Sequence, residues 1–169
     1  ASDVYKRQVQ DISSMLVAQT AAPKKGDYVI DVCAAPGGKS THIAELLQGS
    51  GHVLARDLTD NKVDMIEENI DRHGLNNMSA EVWDATVFDA DSAGKADILI
   101  CDLPCSGLGV LGRKKDIRYK MTPESVDELV VLQRQILDTV HTYVKPNGVL
   151  VYSTCTCLLY TSPSPRDVE

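Results

Sequence analysis

The chain has 169 residues, of which 43% are hydrophobic and 24% charged, and its formal net charge is −7. This size and composition fit one globular domain with a sizeable core. No apolar run reaches the roughly 18 residues of a membrane helix and no signal segment opens the chain, so we expect a cytoplasmic protein without a membrane partner.

Short apolar runs alternate with amphipathic segments along the chain. Five runs predict strands, over residues 28–33, 52–57, 78–83, 97–102 and 149–153. Four segments with helical spacing predict helices, over residues 11–20, 40–47, 60–73 and 123 to about 144. The sequence Pro146-Asn147-Gly148 is expected to end the last helix and turn into the fifth strand. Strands separated by helices imply an α/β fold, with a doubly wound, mostly parallel sheet covered on both faces.

The two ends of the chain do not share this pattern. Residues 1–8 lack a clear period and residues 157–169 are rich in Ser and Pro, and both resemble translated sequencing-adaptor strings. We therefore expect non-native tails around a catalytic domain over residues 9–156. A sheet that stops at its fifth strand is incomplete, with its C-terminal strands missing and the outer edge of the last strand unpaired.

A glycine turn follows the first predicted strand. It reads Cys33-Ala34-Ala35-Pro36-Gly37-Gly38-Lys39-Ser40 and precedes a helix, where an α/β sheet binds its ligand. Gly38-Lys39-Ser40 fits the end of a P-loop NTPase motif, but Cys33 stands where that motif needs glycine. A methyl-donor site for S-adenosylmethionine is the other interpretation: Asp57, Asp84 and Asp102 end three strands, with Asp57 suited to ribose hydroxyls and Asp84 to adenine.

The chain has an odd number of cysteines, without the paired spacing of a metal site: Cys33, Cys101, Cys105, Cys155 and Cys157. We expect thiols in a reducing compartment, and no metal. Two of these cysteines follow successive strands. One is Cys105, in Asp102-Leu103-Pro104-Cys105-Ser106-Gly107, and the other is Cys155, in Tyr152-Ser153-Thr154-Cys155-Thr156. Such a pair suggests covalent catalysis, because a thiolate added at carbon 6 of a pyrimidine makes carbon 5 nucleophilic, and a second group can assist its elimination. A small buried side chain is the alternative for each, and we assign it to Cys101.

These three motifs together resemble the Nol/Nop/Sun family of RNA cytosine-5 methyltransferases, most closely its bacterial members that act on 16S ribosomal RNA. The resemblance covers residues 9–156 and implies a Rossmann-like fold dependent on S-adenosylmethionine. It implies that Cys155 is the nucleophile, that Cys105 assists product release, and that Asp102 and Lys39 contact the target base. The implied cofactor site consists of Cys33, Ala34, Ala35, Pro36, Gly37, Gly38, Lys39, Asp57, Asp84 and Asp102.

Some features leave alternatives open. DNA-modifying relatives use the cysteine equivalent to Cys105 as nucleophile, but their Glu-Asn-Val motif is missing here, which favours RNA and Cys155. The net acidity argues weakly against nucleic acid, whereas a basic stretch over residues 113–120 would suit RNA. Full-length members carry an N-terminal RNA-binding domain that this chain lacks. We therefore expect a monomer that binds the cofactor weakly and does not turn over; a catalytically dead RNA-binding fragment is the other possibility.

Overall fold

The computed structural model describes residues 10, 12–106 and 122–155. Five parallel strands form one sheet in the order β3-β2-β1-β4-β5: β1 (Tyr28–Asp31), β2 (His52–Asp57), β3 (Met78–Val82), β4 (Ala96–Asp102) and β5 (Val144–Ser153). The described helices are α1 (Ile12–Ala21), α2 (Gly38–Leu46), α3 (Asp60–His73) and α4 (Pro123–Val140), and a 3₁₀ turn follows at His141–Tyr143. The predicted tails and the basic stretch over residues 113–120 lie outside the described residues.

Helices cover both faces of the sheet, which confirms the predicted doubly wound α/β architecture. The sheet has a hydrophobic core on each face. Successive residues of β4 belong to different cores, because successive side chains of a strand point to opposite faces. Ile98 and Ile100 pack with α1, α2 and α3 on one face. Leu99 and Cys101 pack with α4 and the 3₁₀ turn on the other, so Cys101 is the buried core residue that was expected.

The fifth strand differs from its prediction. It begins at Val144 rather than at residue 149, and α4 ends at Val140. Ala96 pairs with Val144, but Ile98 pairs with Val149, so the register shifts between these pairs. Pro146-Asn147-Gly148, which were predicted to form a turn, therefore lie in an irregularity inside β5. Such a bulge accommodates extra residues in one strand without ending its pairing with the next.

The order of the strands sets the position of the site. The chain runs from β1 outward to β2 and β3, and then returns to place β4 on the other side of β1. The carboxyl ends of β1 and β4 thus lie side by side where the direction of winding reverses, which is where open α/β sheets bind ligands.

Candidate active site

The glycine turn joins β1 to α2, and several contacts fix its backbone. The N–H of Ala34 donates to the carbonyl of Arg56 at 2.8 Å, and the side-chain amide of Asn69 donates to the carbonyl of Pro36 at 2.6 Å. Gly37 has φ 102° and is the N-cap of α2, a conformation that favours glycine. The first turn of α2 lines a cavity through Gly38 and Lys39, and the N–H groups of a first helical turn can bind an anionic group.

Asp57 and Asp84 lie beside this turn and line a cavity of about 240 Å³. The carboxylate of Asp57 accepts from the N–H of Ala35 at 2.9 Å and from Lys62 Nζ at 2.8 Å. That of Asp84 accepts from the N–H and the hydroxyl of Thr86, at 2.9 and 2.7 Å. The apolar part of the wall comes from Val32, Leu58, Ala85, Pro104, Leu132 and Ile136.

This cavity suits an adenosine group. Its carboxylates are acceptors for the donors of such a group, the ribose hydroxyls and the exocyclic amine, and its apolar walls suit the faces of a purine ring. The chemistry of the lining thus fits the nucleoside part of S-adenosylmethionine.

Lys39 and Asp102 form an ion pair at the carboxyl end of β4. Lys39 Nζ donates to one carboxylate oxygen of Asp102, and the hydroxyl of Ser153 donates to the other at 2.8 Å. Both charged residues line a second cavity of about 450 Å³, which shares Cys33, Ala35 and Asp102 with the first. Lys39 is thus paired with a carboxylate of the same chain.

A buried carboxyl group, that of Asp31, lies beneath this ion pair. Asp31 is 1% exposed, and it accepts a hydrogen bond from the Ser40 hydroxyl at 2.5 Å. Burial and, to a smaller extent, the neighbouring carboxylate of Asp102 raise the pKa of Asp31 to about 7, against the opposing hydrogen bond from Ser40. Asp31 is therefore a group in the second cavity that exchanges a proton near neutral pH.

The raised pKa of Asp31 predicts a stability effect. A carboxyl that is protonated more readily in the folded state stabilises the fold fully below its unfolded pKa of about 4. That contribution is lost as pH rises through about 7. We expect the stability of the wild type relative to Asp31→Asn to fall between pH 4 and pH 8 by a few kcal/mol, at about 1.4 kcal/mol per pKa unit. Urea unfolding across this range measures it; a constant difference would contradict the assignment.

Cys105 and Cys155 are joined by a disulfide bond, with their Cα atoms 6.5 Å apart. The expectation that both are free thiols is therefore wrong for this structure. Asp102 pairs with Ser153 in the sheet, so the residues that follow β4 and β5 lie close together although 50 positions separate the cysteines. The structure thus joins the two cysteines to which the sequence analysis gave catalytic roles, and a cysteine in a disulfide cannot act as a nucleophile until it is reduced.

The free cysteines of the described region are Cys33 and Cys101. Burial raises the pKa of the Cys33 thiol far above its ordinary value, and the carboxylates of Asp31 and Asp57 raise it further. Burial does the same to Cys101. Both thiols therefore stay protonated at neutral pH, which makes them poor nucleophiles.

All the predicted site residues in the described part of the chain lie at the carboxyl edge of the sheet. Asp31, Ser40, Lys62 and Ser153, to which the sequence analysis gave no role in the site, also make hydrogen bonds within it. Ser40 and Ser153 stand inside the motifs, and Lys62 lies five residues after Asp57, but no local signal shows that Asp31 is buried. In residues 10, 12–106 and 122–155, no group of three metal-binding side chains comes together, and no helix is long and apolar enough to cross a membrane.

The parallel sheet, its strand order and the glycine turn beside Asp57 define a Rossmann-like fold of the S-adenosylmethionine-dependent methyltransferase class. A model of the 16S rRNA methyltransferase RsmB/F family matches residues 18–162. The chain belongs to this family, as the resemblance predicted.

Individual relatives agree with the family. The chain is 46% identical over 149 residues to a probable ribosomal RNA small subunit methyltransferase B of Bacillus subtilis, covering 88% of this chain and 33% of that protein. It is 38% identical to ribosomal RNA small subunit methyltransferase F of Cronobacter sakazakii, covering 88% and 31%. The crystal structure of NSun6 from Pyrococcus horikoshii with SFG superimposes with a TM-score of 0.77 at 35% identity, covering 94% and 38%. The chain thus spans about a third of the length of its curated relatives.

Proposed function

We propose that this chain is the catalytic part of an RNA methyltransferase that transfers a methyl group from S-adenosylmethionine to carbon 5 of a cytosine in 16S ribosomal RNA. The observation that carries the proposal is that Cys105 and Cys155 are joined just beyond the paired ends of β4 and β5, where Asp102 binds Lys39 and lines the cavity that suits adenosine. Methylation of an exocyclic amine would need no thiol, whereas carbon 5 of a pyrimidine must first be activated by a nucleophile. Membership of the family supports RNA as the substrate, and the relatives' names support ribosomal RNA.

The cofactor would be held by the strand-end acids and the glycine turn. Asp57 would accept hydrogen bonds from ribose hydroxyls, and Asp84 would accept one from the adenine amine. Lys62, whose side chain is half exposed, can move away from Asp57 as the ribose enters. The bound S-adenosylmethionine would supply an electrophilic methyl group, and a relative solved with SFG, an analogue of that cofactor, is consistent with such a site.

The protein residues would act on the cytosine in sequence. The Cys155 thiolate adds to carbon 6, which moves electron density to carbon 5. Lys39 and Asp102, which both line the second cavity, hold the base during the addition. After methylation Cys105 assists release as the base that takes the carbon 5 proton, and the electron pair left on carbon 5 forms the double bond that expels the Cys155 thiolate from carbon 6. These are the addition and elimination steps of nucleophilic catalysis.

The oxidation state of the cysteine pair provides the first test. We expect a full-length version that keeps these residues to form a covalent adduct with RNA containing 5-fluorocytosine only after the Cys105–Cys155 bond is reduced. Fluorine cannot leave carbon 5 as a proton does, so the adduct is trapped and appears as a shifted band on a denaturing gel. Binding of S-adenosylmethionine, measured by calorimetry in both redox states, serves as the control for folding. Absence of an adduct in the reduced enzyme would overturn the covalent mechanism.

The P-loop alternative makes a different prediction. It requires Mg²⁺-dependent binding of ATP that Lys39→Ala abolishes. Calorimetry with ATP and S-adenosylmethionine on the same sample separates the two functions, and binding of ATP alone would overturn the proposal. For the 169-residue chain by itself we expect weak cofactor binding and no methyl transfer, since it spans about a third of the length of its curated relatives.

A further inference from the structure

The connection between β3 and β4 carries Asp84 and has no helix of its own in the described structure. It packs on the face of the sheet that α4 covers: Ala85 belongs to that core, and the N–H of Gly94 donates to the carbonyl of Thr142 at 2.9 Å. Without a helix, the backbone of residues 83–95 needs other groups to fix it. The position of Asp84 in the cofactor cavity therefore depends on what holds this connection.

Arg56, which precedes the ribose-side Asp57, is the charged group beneath the connection. It is 5% exposed, and its guanidinium donates to Glu81 and to Asp89, both at 2.6 Å. The same guanidinium lies over the ring of Trp83, 5.0 Å from its centroid. A buried guanidinium is costly without its carboxylates, so Arg56 constrains where Asp89 and Trp83 lie.

Asp89 links Arg56 to the backbone of the connection through hydrogen bonds. Besides the bond from Arg56, its carboxylate accepts from the Ser92 hydroxyl at 2.6 Å and from the N–H of Asp91 at 2.9 Å. Its own N–H donates to the hydroxyl of Tyr143 at 2.8 Å. The indole N–H of Trp83 donates to the carbonyl of Val87 at 3.0 Å. Both sides of Asp84 are thus fixed, by Trp83 on one side and by Asp89 on the other.

We propose that Arg56 and Asp89 are positioning residues that hold Asp84 at the edge of the cofactor cavity, and so make that cavity selective for a purine with a 6-amino group. The inference rests on the proposed function, in which Asp84 accepts from the adenine amine. It goes further by assigning this selectivity to an ion pair that does not itself line the cavity. If the pair is broken, Asp84 shifts and the cavity keeps its apolar walls but loses its preference for the amine.

The test compares two ligands that differ only at that position. S-adenosylhomocysteine carries the 6-amino group, and its analogue built on unsubstituted purine carries only a hydrogen there, which cannot donate a hydrogen bond to Asp84. For the wild type, calorimetry is expected to give a 10- to 100-fold preference for the adenosyl ligand, roughly what one hydrogen bond to a charged group contributes. In Asp89→Asn we expect the preference to fall to about threefold or less. A tenfold loss of preference corresponds to only about 1.4 kcal/mol, so a small shift of Asp84 away from the amine is enough to cause it.

Asp97→Asn is the matched control. Asp97 also takes part in an ion pair, accepting from Lys145 at 2.8 Å, and it accepts from the N–H of Tyr28 at 2.8 Å. It lies near the opposite end of β4 from Asp102, so its loss should leave the ligand preference unchanged.

If circular dichroism shows that Asp89→Asn does not fold, the same ligand preference is measured in Tyr143→Phe. It removes only the hydroxyl that accepts from the N–H of Asp89, and it should lower the preference in the same direction.

The outcomes separate the inference from the proposed function. Equal weakening of both ligands in Asp89→Asn, with the wild-type preference kept, would show a merely structural role and overturn the inference alone. A wild-type chain that binds neither ligand would overturn the proposed cofactor site and, with it, the inference. A preference that is lost in Asp89→Asn and kept in Asp97→Asn supports both.

Discussion

Cys155→Ala in the reduced full-length enzyme is expected to abolish the adduct with 5-fluorocytosine RNA and to lower methyl transfer by on the order of 10⁴-fold or more. Without the thiolate, carbon 5 of the cytosine stays a poor nucleophile, whatever else the site provides. Cofactor binding should persist, because Cys155 does not line the cavity that contains Asp57 and Asp84. Denaturing gels measure the adduct, and labelled methyl transfer measures turnover.

Cys105→Ala should have the opposite effect on the adduct. If Cys105 assists release, its loss lets the complex accumulate even on RNA with ordinary cytosine. Cys101→Ala is the control, since this cysteine is buried in the core on the α4 side and should change neither observation. The reverse result, an adduct in Cys155→Ala and none in Cys105→Ala, would assign the nucleophile to Cys105, as in the DNA-modifying relatives.

The largest stability effect is expected at Gly51, in the turn before β2. Its φ of +83° is unfavourable for other residues, and a Cβ there would lie 2.3 Å from the carbonyl oxygen of Asp27. That carbonyl also accepts the N–H of His52 at 3.0 Å, so it cannot withdraw without loss of a hydrogen bond at the start of the strand. Gly51→Ala should lower the free energy of unfolding by ~2–5 kcal/mol, the sum of backbone strain and overpacking. Urea titration measures the change.

Gly49→Ala separates the two causes. Gly49 has a similar φ of +75°, but a Cβ there would meet no atom within 4 Å. This variant should cost only the strain of the left-handed backbone, ~1–2 kcal/mol. Equal losses in the two variants would show that the contact with Asp27 contributes nothing.

Local signals explain which elements the sequence predicted well. The helix over residues 60–73 and the strand over 52–57 have the predicted bounds. The helix ends at Gly74 in a left-handed conformation, a stop that one residue encodes. The start of β5 was missed because a Pro-Asn-Gly sequence predicts a turn, whereas pairing with β4 carries the strand through it. That pairing joins residues about 50 positions apart, and no local pattern reports it.

The class of fold, the glycine turn, the strand-end acids and the two cysteine motifs could all be predicted from the amino-acid sequence, because each depends on residue types within a few positions of one another. The folded chain was needed to show that Cys105 and Cys155 meet in a disulfide, that Asp31 is buried near Lys39 and Asp102, and that Arg56 anchors the connection carrying Asp84. The physical reason is that strand order and register choose which distant residues become neighbours. Burial by those neighbours then sets pKa values and hydrogen-bond partners.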